Sequence, residues 1–307
     1  MKLEGIHHIT AITADAQANV DFYAGLLGLR LVKKSVNQDD PTVYHLFYGD
    51  EHGSPGADLT FFEYPGARPG RPGAGMIHAI AWRVGSEEAL AFWAERLTAA
   101  GIEAEATDGG RLRFADPEGL DHELAVDGAG DEPLAAEHPE VPRALALQGF
   151  DGVRAYSAGA DLSRPLLEGT LGFEPREDCW EVRGDERGSY LAYDPATERG
   201  IQGAGTVHHV AWSSRPQDHA AWREAVARAG ARPTPVIDRF YFRSVYFREP
   251  SGVLFEIATI GPGFAVDEDP DHLGERLSLP PALEHLRGEI ERAVKPLENP
   301  RAGAVRG

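Results

Sequence analysis

GAGMIHAIAW at 73–82 and GAGTVHHVAW at 203–212 align without a gap, and the architecture is built on that repeat. After each copy, apolar residues recur at three- and four-residue spacing: Ala89, Leu90, Phe92, Trp93 and Leu97 in the first, Ala220, Trp222, Ala225, Val226 and Ala229 in the second. That period predicts an amphipathic helix. Each helix ends at a glycine, Gly101 or Gly230, where a left-handed residue closes a helix without strain. Both copies then finish with a turn and a strand, FADPEGLDHELAV at 114–126 and FREPSGVLFEIAT at 247–259. A fainter pair, NVDFYAGLLGLRLVKK at 19–34 and SRPLLEGTLGFEPRE at 163–177, reads as a helix ending at Leu-Gly and then a strand.

Four βαβββ modules follow, at 1–64, 73–127, 146–196 and 203–260. Strands dominate and helices are segregated, so the fold class is α+β: two domains with cup-shaped mixed sheets. The Pro-, Gly- and acid-rich stretch 128–145 reads as a linker. In the tail, 261–307, Pro281, Leu283, Leu286, Ile290 and Val294 predict one short packing helix, with the last ten residues loose.

Composition narrows the function. The 307 residues carry 49 Asp+Glu against 30 Lys+Arg, a net charge of -19, which repels phosphate backbones and anionic membranes. No apolar run approaches the roughly 18–20 residues of a membrane helix. The N-terminus MKLEGIHHIT lacks a signal-peptide core, so a cytoplasmic location is expected. One cysteine, Cys179, allows neither an internal disulfide nor a cysteine-based metal site. No glycine-rich phosphate loop or dinucleotide fingerprint is present. A metal, if bound, must rest on His and carboxylates.

Comparing the copies locates such a site. The second residue of the opening pair is His8 in module one, His209 in module four, Ala79 in module two and, by this alignment, Val153 in module three. In the closing strands Glu256 aligns with Glu123, with Thr60 of GADLTFF, and with a residue near Leu191. Residues i and i+2 share a strand face, so modules one and four facing each other would gather His8, His209 and Glu256, with Thr60 as a non-ligand. Three donors leave about three positions open on an octahedral ion. Glu256 lies in the apolar run VLFEIATI, where an unpaired carboxylate is costly; coordination accounts for it. The cup of modules two and three keeps only Glu123. His45 and His78 read as structural and His122 as exposed. His7 and His208 fall on the opposite strand face from the ligands, as polar residues at a sheet edge or as participants in the chemistry.

The IHHIT opening, FYAGLLGLRLVKK, GTVHHVAW and REPSGVLFEIAT together resemble the vicinal oxygen chelate superfamily of glyoxalases, bleomycin-resistance proteins and extradiol dioxygenases. More narrowly, the chain is similar over nearly its whole length to ring-cleaving dioxygenases of the hydroquinone 1,2-dioxygenase type. The resemblance implies Fe(II) on His8, His209 and Glu256, an aromatic substrate with O2, and extradiol-type cleavage of a hydroquinone or catechol ring. Mn, Ni, Co or Zn would suit the same donors. It also assigns roles near the substrate to His7, Thr10, His208, Arg239 and Tyr246. Tyr246 would hydrogen-bond the substrate or oxygen and help move a proton; Arg239 would hold a partly charged ring oxygen. Two other readings stay open. A glyoxalase-type lyase or isomerase commonly needs a fourth ligand, which Thr60 does not supply. A protein that sequesters a small molecule without chemistry would have no use for three intact ligands. Oligomeric state is open.

Overall fold

The structure is a computed structural model that describes residues 1–299. Sixteen strands form two eight-stranded mixed sheets. Along the chain they are β1 (Leu3–Thr13), β2 (Arg30–Asn37), β3 (Asp40–Gly49), β4 (Asp58–Glu63), β5 (Met76–Val84), β6 (Ala104–Ala106), β7 (Leu112–Ala115) and β8 (Asp121–Val126). Then come β9 (Phe150–Ser157), β10 (Glu174–Pro175), β11 (Cys179–Arg183), β12 (Gly188–Pro195), β13 (Thr206–Ser214), β14 (Ile237–Asp238), β15 (Arg243–Arg248) and β16 (Leu254–Thr259). The first sheet has the order β14-β15-β16-β13-β1-β4-β3-β2, the second β10-β11-β12-β9-β5-β8-β7-β6. Each is therefore made from two modules distant in sequence, joined where β1 meets β13 and where β5 meets β9, both antiparallel.

The helices follow from local signals. In α1 (Ala16–Val20), Asp15 caps the first turn by accepting from the amides of Gln17 and Ala18; the helix then continues as a π-helical turn over Asp21–Leu26. In α2 (Glu87–Ala99), Ser86 caps, Glu87 and Glu88 complement the positive helix start, and Ala89, Trp93 and Leu97 are buried at four-residue spacing. The chain leaves at Gly101 with φ 79°, a value that a side chain would oppose. The short α3 (Arg164–Leu166) again runs into a π-helical turn, and α4 (His219–Arg228) buries Trp222 and Val226. A continuous core of buried Trp, Phe, Leu, Ile and Val fills the space under the helices, including Trp82, Trp93 and Trp212. No helix among the described residues is long and apolar enough to cross a membrane.

The stretch 128–145 is more than a spacer. It buries Ala135, Ala136 and Val141, and its Asp131 receives the guanidiniums of Arg83 and Arg183, both at 2.6 Å. In the tail, α5 (Arg287–Ala293) buries Ile290, with Val294 just beyond it. Of the last ten residues, Glu298 is tied down by its amide to the Gln17 side chain at 2.8 Å; the expectation for 300–307 lies outside the described residues.

Candidate metal centre

Strands β1, β13 and β16 are adjacent in the middle of the first sheet, and their concave face carries the site. Ala211 sits opposite His8 and beside Glu256, so pairing across three strands converges His8, His209 and Glu256. His8 Nε2 and His209 Nε2 are 3.3 Å apart, and each approaches Glu256 Oε2, at 3.2 and 2.9 Å. Three cis donors on an octahedral ion with bonds of about 2.1 Å stand about 3.0 Å from one another. Glu256 is fully buried, and neither of its oxygens accepts a hydrogen bond of good geometry. Burial works to raise its carboxyl, and the two imidazoles lower it only while they carry a proton toward it; with both Nε2 lone pairs free, a cation between them is what keeps the carboxylate ionised. A buried, unsatisfied carboxylate beside two imidazole nitrogens fits a divalent cation better than any internal pairing.

The outer nitrogens orient the ligands. His7 Nε2 lies 3.1 Å from the Thr259 carbonyl, which only accepts, so His7 carries its proton there and its Nδ1 is an acceptor. His8 Nδ1, 3.0 Å away, then donates to His7, leaving the His8 Nε2 lone pair for a metal. The arrangement recurs at His208 and His209, whose Nδ1 atoms are 2.8 Å apart. Burial pushes His7 down to about 3, with His8 adding to it; burial, then His209 and Arg248, lower His208 to about 4. His209 is likewise lowered by burial against the pull of Glu256. The lowered groups are neutral at pH 7, the state in which imidazole ligates.

Several expectations need correcting. His7 and His208 are neither at a sheet edge nor turned away from the ligands. β1 and β13 are central, and breaks in register beside each histidine bulge the strand, which swings the ring round to its neighbour. His45 is not merely structural. It lines the site, its Nε2 lies 2.9 Å from Thr60 Oγ1, and its ring packs against Phe47 and Phe62. His122 is fully buried: the Trp82 indole donates to its Nδ1 at 3.1 Å and its Nε2 meets the Tyr23 hydroxyl at 3.0 Å. The module-three counterparts are Gly152 and Ala192, one residue away from Val153 and Leu191, because Gly152 pairs with Ala81 as His209 pairs with Thr10. Val153 and Leu191 lie on the buried core side. Among the described residues the second cup gathers no comparable set of free donors: Glu123 receives Arg113 Nε at 2.7 Å, and Asp194 is shared by Arg154 and His78.

Thr60 holds the fourth position and is hydrogen-bonded to Thr10 at 2.8 Å. Tyr246 pairs with Glu256 across β15 and β16, and its ring is 5.5 Å from that of His209. Burial and Glu256 raise its phenol, so it stays protonated and can donate. The Arg239 guanidinium lies 5.7 Å from the Tyr246 ring and pairs outward with Asp39 at 3.0 Å. A narrow cavity of about 40 Å³ lies over the triad, walled by Phe47, Phe62, Tyr241 and Phe242. Its mouth is bridged where Gln38 Nε2 donates to the Arg239 carbonyl at 2.8 Å. The sequence offered no periodic signal for Gln38, Asp39 or Phe242, which belong to turns rather than to the repeated strands.

Known proteins share this fold and much of this sequence. Residues 5–124 match the family model of the glyoxalase/bleomycin resistance protein/dioxygenase superfamily. The chain is 43% identical to MhqA of Bacillus subtilis (strain 168), named for ring-cleaving dioxygenase activity, across 97% of this chain and 100% of that one. It is 32% identical to the chlorohydroquinone/hydroquinone 1,2-dioxygenase of Sphingobium indicum, across 95% and 96%. A crystal structure of a Bacillus subtilis protein described as a dioxygenase superposes with a TM-score of 0.91 at 41% identity, covering 97% of this chain and 98% of that one. Maize glyoxalase I, at 16% identity and a TM-score of 0.55 over 83% and 92%, shares the fold alone. On a match that runs almost end to end, the chain belongs to the glyoxalase/bleomycin resistance protein/dioxygenase superfamily, in the group that includes these ring-cleaving dioxygenase relatives.

Proposed function

We propose that this chain is an Fe(II)-dependent, extradiol-type dioxygenase that opens a hydroquinone- or catechol-type ring with O2. One observation carries the reading: three buried donors within 3.3 Å of one another, with a threonine where a fourth ligand would stand, under an aromatic-walled cleft. The relatives named for this activity support it. A divalent ion held by His8, His209 and Glu256 would supply Lewis acidity toward an aromatic hydroxyl and the redox chemistry that joins the ring to O2.

The chain's own residues do the rest. His8, His209 and Glu256 hold the ion, and His7 and His208 fix the ligand tautomers. Phe47, Phe62 and Phe242 offer faces to an aromatic ring and exclude water. The Tyr246 hydroxyl donates a hydrogen bond into the site and returns a proton to the developing product. Arg239 supplies a fixed positive charge for a ring oxygen that has lost its proton. Thr10 holds Thr60 back from coordination. The substrate class is thus a small aromatic diol with O2 as co-substrate.

The test is O2 uptake by protein loaded anaerobically with Fe(II), across hydroquinones and catechols. Consumption should disappear with chelator and in E256Q. No uptake with any diol, together with turnover of a thiol hemiacetal, would replace this reading by the glyoxalase type.

A further inference from the structure

A second cavity, of about 590 Å³, lies behind the His208–His209 pair, between loops of the two sheets. We propose that it is a separate binding site for a small organic carboxylate. The chain has 49 acidic residues and a net charge of -19, yet no Asp or Glu is found among the described residues lining this cavity, and Arg199 and Arg248 are. Two other open clefts among the described residues carry acids: Glu4, Glu132 and Glu186 in one, Asp15, Asp21 and Glu63 in another.

Among the described residues neither arginine is paired with a carboxylate. Arg248 Nη1 donates only to the Gly252 carbonyl, at 2.7 Å, and among the described residues the Arg199 guanidinium has no partner. His208 spends Nδ1 on His209 and has Nε2 left for a ligand. Leu162, which is 64% exposed, Met76 and Val207 add apolar wall. Guanidinium donors around an oxygen pair, with hydrocarbon beside them, suit a carboxylate head on a short carbon body. Because His208 touches the ligand His209, occupancy of the cavity and of the metal centre should alter each other's affinity by the same factor. That the ligand in turnover is a ring-opened acid rests on the proposed reaction; the carboxylate site itself rests only on this lining.

The experiment is calorimetric titration of the full chain with adipate, in metal-loaded and chelator-stripped forms, with adipamide and inorganic phosphate as controls. Saturable one-to-one adipate binding in both forms and none for adipamide are expected. R199Q and R248Q, both exposed positions, should each bind at least about tenfold more weakly with unchanged melting temperatures, and R248K should recover most of the loss. Absence of adipate binding overturns the proposal. So does binding unchanged in both variants, binding seen only with metal, or preference for phosphate. None of these readouts needs turnover, so failure of O2 uptake would sink the ring-cleaving reading and leave this site standing.

Discussion

At the scale of single residues, two buried groups make opposite demands on the fold. Glu256 is fully buried and unsatisfied, so without a cation it destabilises the protein and with one it becomes a ligand. E256Q should therefore lower metal affinity at least about a hundredfold in a chelator competition, yet the stripped variant should melt no lower than the stripped parent. A large melting loss in stripped E256Q would mean that Glu256 serves the fold rather than the ion. His122 is a stability device with a pH signature. Burial holds it at about 3, below the ordinary 6.5, so between those values the unfolded chain binds the extra proton. Stability is intact above 6.5 and falls as pH drops through that window, by about 2 kcal/mol at pH 5 for one such group. Asp116, raised by burial to about 6, works the other way between 3.8 and 6. H122Q can keep a donor and an acceptor for Tyr23 and Trp82, so its melting temperature should fall less than the parent's between pH 7 and pH 5.

At the scale of elements, the site depends on features that interrupt the regular strands. The β2–β3 turn and the segment between β14 and β15 meet over the triad through Gln38, Asp39 and Arg239. The space beneath, about 40 Å³, is smaller than the roughly 150 Å³ that accepts a benzene ring, so an aromatic substrate needs more room than this arrangement leaves, and the contacts of Gln38, Asp39 and Arg239 are the ones expected to give way. Q38A combined with D39A should speed hydroquinone association in stopped-flow while leaving metal affinity unchanged; an unaltered association rate in that double variant would show that these contacts are no barrier. The same features mark the limit of what the sequence discloses. That modules one and four meet was legible, because the repeat gives period-two strands and shows which copies retain His; the order of the strands within each sheet was not. The convergence of His8, His209 and Glu256 follows from that alternation. His7, His208 and the one-residue offset at Gly152 do not, because a bulge changes face and register without changing composition. His45 and His122 escaped because a buried neutral imidazole is defined by neighbours from other modules, Thr60 for one, Tyr23 and Trp82 for the other.

At the scale of the whole molecule, neither half of the chain contains a complete sheet. β1 to β8 come from the first half and β9 to β16 from the second, and each sheet takes four strands from each. The seams, β1 with β13 and β5 with β9, are sheet centres whose residues are almost all buried. A half expressed alone would therefore expose two apolar strand edges, which favours aggregation over folding. The metal donors are divided in the same way, His8 from one half and His209 with Glu256 from the other. Ala129 and Gly130 are exposed in the connecting stretch, so the chain can be opened there without cutting a strand. Fragments 1–129 and 130–307, expressed separately, should be insoluble or bind no metal. Expressed together they should copurify and recover metal affinity within about tenfold of the intact chain, since the break costs loop-closure entropy rather than contacts. Stoichiometric metal binding by 130–307 alone would contradict this, because it would mean that the ion does not need His8.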